Sequence, residues 1–339
     1  MGGSNTRKRI SCGRFTHLRT WTRFSSAWRR GLGGENRLIN YSSCAAPINS
    51  VHIGDTPTSN SLSGAGRMKQ LSRLESTPAN DHTSGPWCPL PLHDFAGCRG
   101  IESGAVFIIA SGLSARSFPL ETFAHVPMIT MNGAISLFMN TDVKPYFYAC
   151  SDRSFSQQQP ALFDYAMAVS QRVALWEDHA QSSRVRPSGQ LYPLSKAEKP
   201  SWLEAVLGRR DALVVEHSLL PLRKRPIGFS KDMSAGFFDA RTVAYLAIQL
   251  AFHVGFSKVF LVGVDLDEKS GRFYETMDAV NSPCGLDQHY YTRILPSFEL
   301  MSKKVMGDDF MVYNLSDTSK IPQSVIPRVT LGDVETMLR

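Results

Sequence analysis

The sequence predicts an α/β fold with a doubly wound, mostly parallel, Rossmann-like sheet, a lid-like insertion and a disordered N-terminal tail. Three observations predict it. Short Val- and Ile-rich runs recur after residue 104 with helix-length segments between them, the pattern of a sheet built from strand–helix units. The first run, Val106–Ala110, stops abruptly at Ser111-Gly-Leu-Ser114, and such short apolar runs read as strands buried on both faces. Before about residue 100 the chain is rich in Arg, Ser, Gly, Asn and Pro, with no sustained helical or strand period. Residues 1–100 therefore read as a basic tail and 101–339 as a single domain, with 177–235 as the insertion.

Taken in order, the strand candidates are Val106–Ala110, Pro127–Met131, Tyr146–Cys150, Arg172–Trp176, Ala212–Val215, Lys258–Val264 and Phe310–Tyr313. Helical stretches fall near Ala134–Met139, Ala161–Ser170, Phe238–Val254 and Tyr290–Met306. Phe238–Val254 is apolar almost all round, which marks a buried helix. Residues 177–235 are rich in Pro, Arg and Ser with weak periodicity, and read as a lid rather than sheet.

The net charge of +7 is confined to the tail. Residues 1–40 carry nine Lys and Arg against Glu35 alone, so the rest of the chain is close to neutral. The body thus offers no electrostatic footprint for nucleic acid. The tail fits a transit peptide, an upstream extension with translation beginning at Met68, or an RNA-binding arm. Cys12, Cys44, Cys88, Cys98, Cys150 and Cys284 form no Cys-x-x-Cys pair, and read as free thiols in a reducing compartment. No apolar run approaches the roughly 18 residues of a spanning helix. The expectation is a soluble cytoplasmic protein, at most peripheral to the cytoplasmic face of the inner membrane.

In a doubly wound sheet the ligand sits beyond the carboxyl ends of the strands. The polar residues there are Ser111, Gly112 and Ser114 after the first strand and Asn132 and Gly133 after the second. Ser151 and Asp152 follow the third, and Asp265 and Asp267 follow Lys258–Val264. Small residues let backbone approach a ligand, and Asn and Asp can bind sugar hydroxyls or a base edge. Each reads equally as a turn or cap residue. The single glycine of the first loop departs from the dinucleotide fingerprint and the P-loop. Arg241, before the buried helix, can meet a phosphate with the first-turn N–H groups, or can extend to solvent. Tyr274, Tyr290 and Tyr291 can hydrogen-bond phosphate oxygens. His289, in their company, is the candidate general base, whereas His253 on the buried helix reads as packed. A cation held by Asp265 and Asp267 is the minor alternative to a site with no metal.

The ordered series Ile108-Ile-Ala-Ser-Gly-Leu-Ser114, Ile129-Thr-Met-Asn132, Tyr146-Phe-Tyr148, Thr242-Val-Ala, Gly255-Phe-Ser-Lys-Val-Phe-Leu-Val-Gly-Val-Asp265, His289-Tyr290 and Val312-Tyr-Asn-Leu-Ser316 resembles a bacterial glycosyltransferase family. Its members use CMP-activated nonulosonic or ulosonic acids: the lipooligosaccharide sialyltransferases and the third-Kdo transferases of the lipopolysaccharide core. The likeness covers about residues 104–330. It implies that Ser111, Gly112, Ser114 and Asn132 hold the CMP portion and that Tyr274 and Tyr290 hold its phosphate; Thr242 at the nucleotide, and Arg241 and Arg293 at the phosphate or donor, are candidates by their places in the sequence. Arg293 stands where the sialyltransferases carry their histidine base, and Ala149-Cys150 where they carry an asparagine.

The resemblance implies an inverting transfer, without metal or cofactor, from a CMP-activated Kdo-like or sialic-acid-like donor to lipopolysaccharide core. Leaving-phosphate stabilisation is central to such a reaction. Since the family's own base position is Arg293 here, the candidate base by its place in this sequence is His289, with Asp152 and Asp265 next. Two other readings stay open: a nucleotide-binding protein without transferase activity, and a pterin-diphosphokinase-type enzyme on the same fold.

Overall fold

Seven strands form one all-parallel sheet: β1 (Ala105–Ile109), β2 (Met128–Met131), β3 (Phe147–Cys150), β4 (Arg172–Leu175), β5 (Gln190–Pro193), β8 (Lys258–Val262) and β9 (Met311–Asn314). Their spatial order is β5-β4-β3-β2-β1-β8-β9. Two further strands, β6 (Leu213–Val215) and β7 (Gly228–Ser230), pair antiparallel outside it. This computed structural model describes residues 90–198, 212–216, 226–275 and 285–339. The expectations for the tail up to residue 89, Met68 among them, and for Cys12, Cys44, Cys88 and Cys284 lie outside the described residues.

The strand order carries the functional consequence. From β1 the chain winds outward through β2, β3, β4 and β5, then returns to lay β8 against the other side of β1. The crossovers reverse between β1 and β8, and that reversal opens a crevice at the carboxyl ends of those strands.

Strand alternation explains why both faces of the sheet are covered. In β1, Val106 and Ile108 enter one apolar layer while Phe107 and Ile109 enter the other, all fully buried. In β8, Val259 and Leu261 pair with the first layer and Phe260 and Val262 with the second. Each such side chain contributes about 1.5–3 kcal/mol on burial.

Among the described residues the α-helices are α1 (Phe155–Gln158), α2 (Pro160–Val169), α3 (Glu177–Ser182), α4 (Val243–Val254), α5 (Leu286–His289), α6 (Leu295–Lys304) and α7 (Leu331–Leu338). Helix α4 packs on β1, β2 and β3. Its one buried amide, Gln249, accepts from the Ser230 and Phe238 N–H groups at 2.9 Å and donates to the Phe238 carbonyl at 3.0 Å. The β6–β7 pair and the approach to α4 are thereby tied to the core.

Four expectations about segments need correction. Gln190–Pro193 lies inside the range read as lid, yet forms an edge strand of the main sheet; an edge tolerates the proline that ends it. Leu213–Val215 is a strand, but it belongs to the hairpin pair and not to the parallel sheet. The buried helix begins at Val243 rather than Phe238, because Arg241 adopts φ 66° and Thr242 is extended. Phe95 and Cys98, from the stretch read as tail, are buried in the core. His253 is packed as expected, with Nε2 2.7 Å from the Phe95 carbonyl.

Candidate active site

The turn after β1 is held from beneath by β8. The Gly112 N–H donates to the Gly263 carbonyl at 2.9 Å, and the Ser114 N–H donates to Oδ2 of Asp265 at 3.1 Å. The hydroxyls of Ser114 and Ser316 both donate to Oδ1 of Asp265. Gly112 is required by proximity: a Cβ there would fall 2.5 Å from the Asp265 carboxylate and from the Gly263 carbonyl. The chain then enters a short 3-10 helix, Leu113–Ser117, and not an α-helix. So short a segment offers little helix dipole at this turn.

The turn after β2 places Asn132 in the left-handed region at φ 42°, an uncommon conformation that asparagine tolerates. Its Oδ1 is buried without a hydrogen-bond partner among the described residues, on a side chain that lines the crevice. Such an orphaned acceptor is suited to a ligand donor. Beside it, the Tyr274 ring lies so close to Gly133 that a Cβ on the glycine would fall 2.1 Å from it. Burial pushes the Tyr274 hydroxyl up to about 12.

Residues 271–275 cross both turns as a strap. Arg272 forms an antiparallel bridge with Gly112, and the Phe273 N–H donates to the Ser111 carbonyl at 3.2 Å. The Arg272 guanidinium is held by Glu275 at 2.6 Å. Across the sheet, Trp176 at the end of β4 donates to the Ser151 carbonyl at 2.8 Å and carries the Arg153 guanidinium 4.5 Å from its ring centre. Asp152 accepts from the Ser154 hydroxyl at 2.6 Å.

At the start of α4, Asp239 accepts from Lys196 at 2.7 Å and from the Arg241 N–H at 2.9 Å. Burial pushes its carboxyl up, but those hydrogen bonds outweigh it and hold the group below its ordinary range. Arg293 donates from Nε to the Asp239 carbonyl at 2.9 Å.

A crevice of about 760 Å³ joins these parts. Of the residues picked out in the sequence, it is lined by Ser111, Gly112, Asn132, Ser151, Asp152, Arg241, Thr242, Asp265, Asp267 and His289. Ser114, Tyr274, Tyr290 and Arg293 do not line it. Ser114 is turned toward Asp265, and Arg293 supports Asp239. Tyr290 is 7% exposed and donates its hydroxyl to the Lys320 carbonyl.

The Asp265–Asp267 pair is engaged elsewhere. Asp265 receives the serines, while Asp267, held down to about 2 by Ser270 and then Lys320, pairs with Lys320 at 2.9 Å. Among the described residues no three His, Cys, Asp or Glu side chains converge as metal ligands. Cys150 is buried beneath Asp152, and burial pushes its thiol up to about 12. The sequence reading missed Arg153, Trp176, Lys196 and Arg272, which line the crevice from positions that carry no local motif.

A parallel sheet with a polar crevice where its strand order reverses defines a Rossmann-like α/β protein with a switch-point crevice. The chain belongs to the WaaZ family of 3-deoxy-D-manno-octulosonic acid (Kdo) transferases, whose family model matches residues 99–332. It is 28% identical over 248 residues to the "Probable 3-deoxy-manno-octulosonic acid transferase" of Salmonella typhimurium, covering 70% of this chain and 90% of that protein. It is 26% identical over 246 residues to the protein of the same description in Escherichia coli K12, covering 68% and 84%.

Among solved structures, it is similar to the MAf glycosyltransferase of Magnetospirillum magneticum AMB-1, with TM-score 0.41, 15% identity and coverage of 68% of this chain and 34% of that one. It is also similar to the sialyltransferase CstII of Campylobacter jejuni in complex with CMP-3FNeuAc, with TM-score 0.31, 11% identity and coverage of 63% and 81%. No helix among the described residues is long and apolar enough to cross a membrane.

Proposed function

We propose that this protein transfers Kdo from CMP-Kdo to lipopolysaccharide core, with inversion and without a metal. The switch-point crevice carries the proposal: it brings Ser111, Gly112 and the orphaned Asn132 acceptor together with the family's expected nucleotide edge. Asn132, from its left-handed turn, accepts from the nucleotide. Arg241 and the first N–H groups of α4 attract an anionic group of the donor.

In the transfer, an acceptor hydroxyl attacks the anomeric carbon as the C–O bond to CMP breaks, through an oxocarbenium-like transition state. His289, at the end of α5 and on the crevice wall, takes the acceptor proton. Asp152 is the second candidate. Asp265 serves as a positioning residue, since two hydroxyls and a backbone N–H already occupy its oxygens.

The test is incubation of the full chain with CMP-Kdo and truncated lipopolysaccharide in the presence of EDTA. One added Kdo per acceptor and stoichiometric CMP release are expected. Failure of transfer to inner-core acceptors, with intact donor recovered, contradicts the proposal.

A further inference from the structure

We propose that Arg272 supplies the positive charge that meets the nucleotide phosphate, the task that the family resemblance gives to Tyr274 and Tyr290. The inference rests on the CMP-donor reading and adds to it the residue that recognises the phosphate.

Four observations carry it. First, the antiparallel bridge fixes Arg272 opposite Gly112, so its side chain projects from backbone bonded to the β1 turn, and it lines the crevice with Ser111 and Asn132. Second, two amides of that turn are used internally: Gly112 donates to Gly263 and Ser114 to Asp265. The 3-10 helix beyond, of 5 residues, offers little dipole in their place.

Third, neither tyrosine is turned to the crevice. Tyr290 donates to the Lys320 carbonyl, and Tyr274 lies on Gly133. Fourth, Asp152, Asp265, Asp267, Glu268 and Glu275 share the crevice with four cations, of which Arg153 lies on Trp176, Lys196 pairs with Asp239 and Arg241 precedes α4, so Arg272 is the one whose backbone is bonded to the β1 turn. Glu275, 2.6 Å from the guanidinium, fixes its direction. An arginine has five donors in a rigid fork, so it can bridge a carboxylate and a phosphate together.

The test compares CMP with cytidine, which lacks only the phosphate, by titration calorimetry on the full chain. Wild-type protein is expected to bind CMP at least about tenfold more tightly than cytidine. Arg272→Gln should weaken CMP by about 10- to 100-fold and leave cytidine within about threefold. Arg272→Gln/Glu275→Gln separates loss of the cation from exposure of an unpaired carboxylate, and should behave like the single variant. Arg272→Lys should recover part of the CMP preference, which also guards against a misfolded glutamine variant.

Retention of the preference in Arg272→Gln, or its return in the double variant, overturns the inference alone. So does equal binding of CMP and cytidine by the wild type. Wild-type protein that binds neither compound overturns the CMP-donor reading and the inference with it.

Discussion

Asp265 and Ser114 are joined twice, by the serine hydroxyl to Oδ1 and by the serine N–H to Oδ2 at 3.1 Å. The Ser316 hydroxyl donates to the same Oδ1. One carboxylate after β8 thus binds the turns that follow β1 and β9, its two neighbours in the sheet. It accepts charge-assisted hydrogen bonds at a site 4% exposed, where they are strong and costly to lose.

Asp265→Asn should therefore act on the shape of the β1 turn. The amide cannot accept at both ends, so one buried donor loses its partner, at about 1–3 kcal/mol. The expected result is a lower melting temperature together with weaker CMP binding. An unchanged melting temperature with turnover abolished would instead make Asp265 the base.

The contact between Tyr274 and Gly133 gives a second prediction. Gly133→Ala forces the ring, and with it the strap, off the β2 turn, and overpacking of this kind costs about 1–3 kcal/mol. Tyr274→Ala in the same chain should remove the clash and recover part of that loss, although Tyr274→Ala alone destabilises. Chemical denaturation of the four proteins measures the coupling, and simple additivity would contradict the contact.

The parallel sheet was legible because each strand is a short apolar run buried on both faces, such as Val106–Ile109. The crevice was partly legible because strand-end residues Ser111, Asn132, Asp152 and Asp265 stand just after those runs. Side-chain direction was not. Whether Tyr290 faces a ligand or the Lys320 carbonyl depends on a π-turn at Tyr290–Ile294 and on a loop 30 residues away, neither written in local pattern. Arg272 was hidden for the same reason, since only the strap's pairing with Gly112 brings it to the site. Edge strand β5 escaped because Gln190–Pro193 is short, ends in a proline and buries only Leu191 and Tyr192 fully.

His253 makes stability depend on pH. It accepts from the Met233 N–H at Nδ1, 3.1 Å away, and faces the Phe95 carbonyl at Nε2, an arrangement of the neutral ring. Burial lowers its pKa, and the opposing pull of the Phe95 carbonyl and Asp232 does not cancel that. The unfolded chain, with an ordinary value of about 6.5, then binds a proton that the folded chain refuses. Stability should be full above that value and fall as pH drops below it toward the lowered folded value. Urea midpoints at pH 7.5 and 5.5 should fall less for His253→Gln than for wild type. Equal falls would contradict the assignment.

His289→Ala should lower turnover by about 10²–10⁴ and leave CMP affinity nearly unchanged, with loss of the acidic limb of the pH–rate profile. Near-normal turnover would move the base to Asp152, whose crevice position is independent of α5.

The central claim is that the switch-point crevice binds a cytidine nucleotide, and thermal melting of the full chain against CMP, CDP, UDP, GDP and NAD tests it most directly. CMP and CDP should raise the melting temperature, corresponding to about 2.7 kcal/mol when the nucleotide is at a hundredfold excess over its dissociation constant. The uridine, guanosine and nicotinamide compounds should leave it unchanged. Selective stabilisation by any of those three, with none from CMP or CDP, would contradict the account.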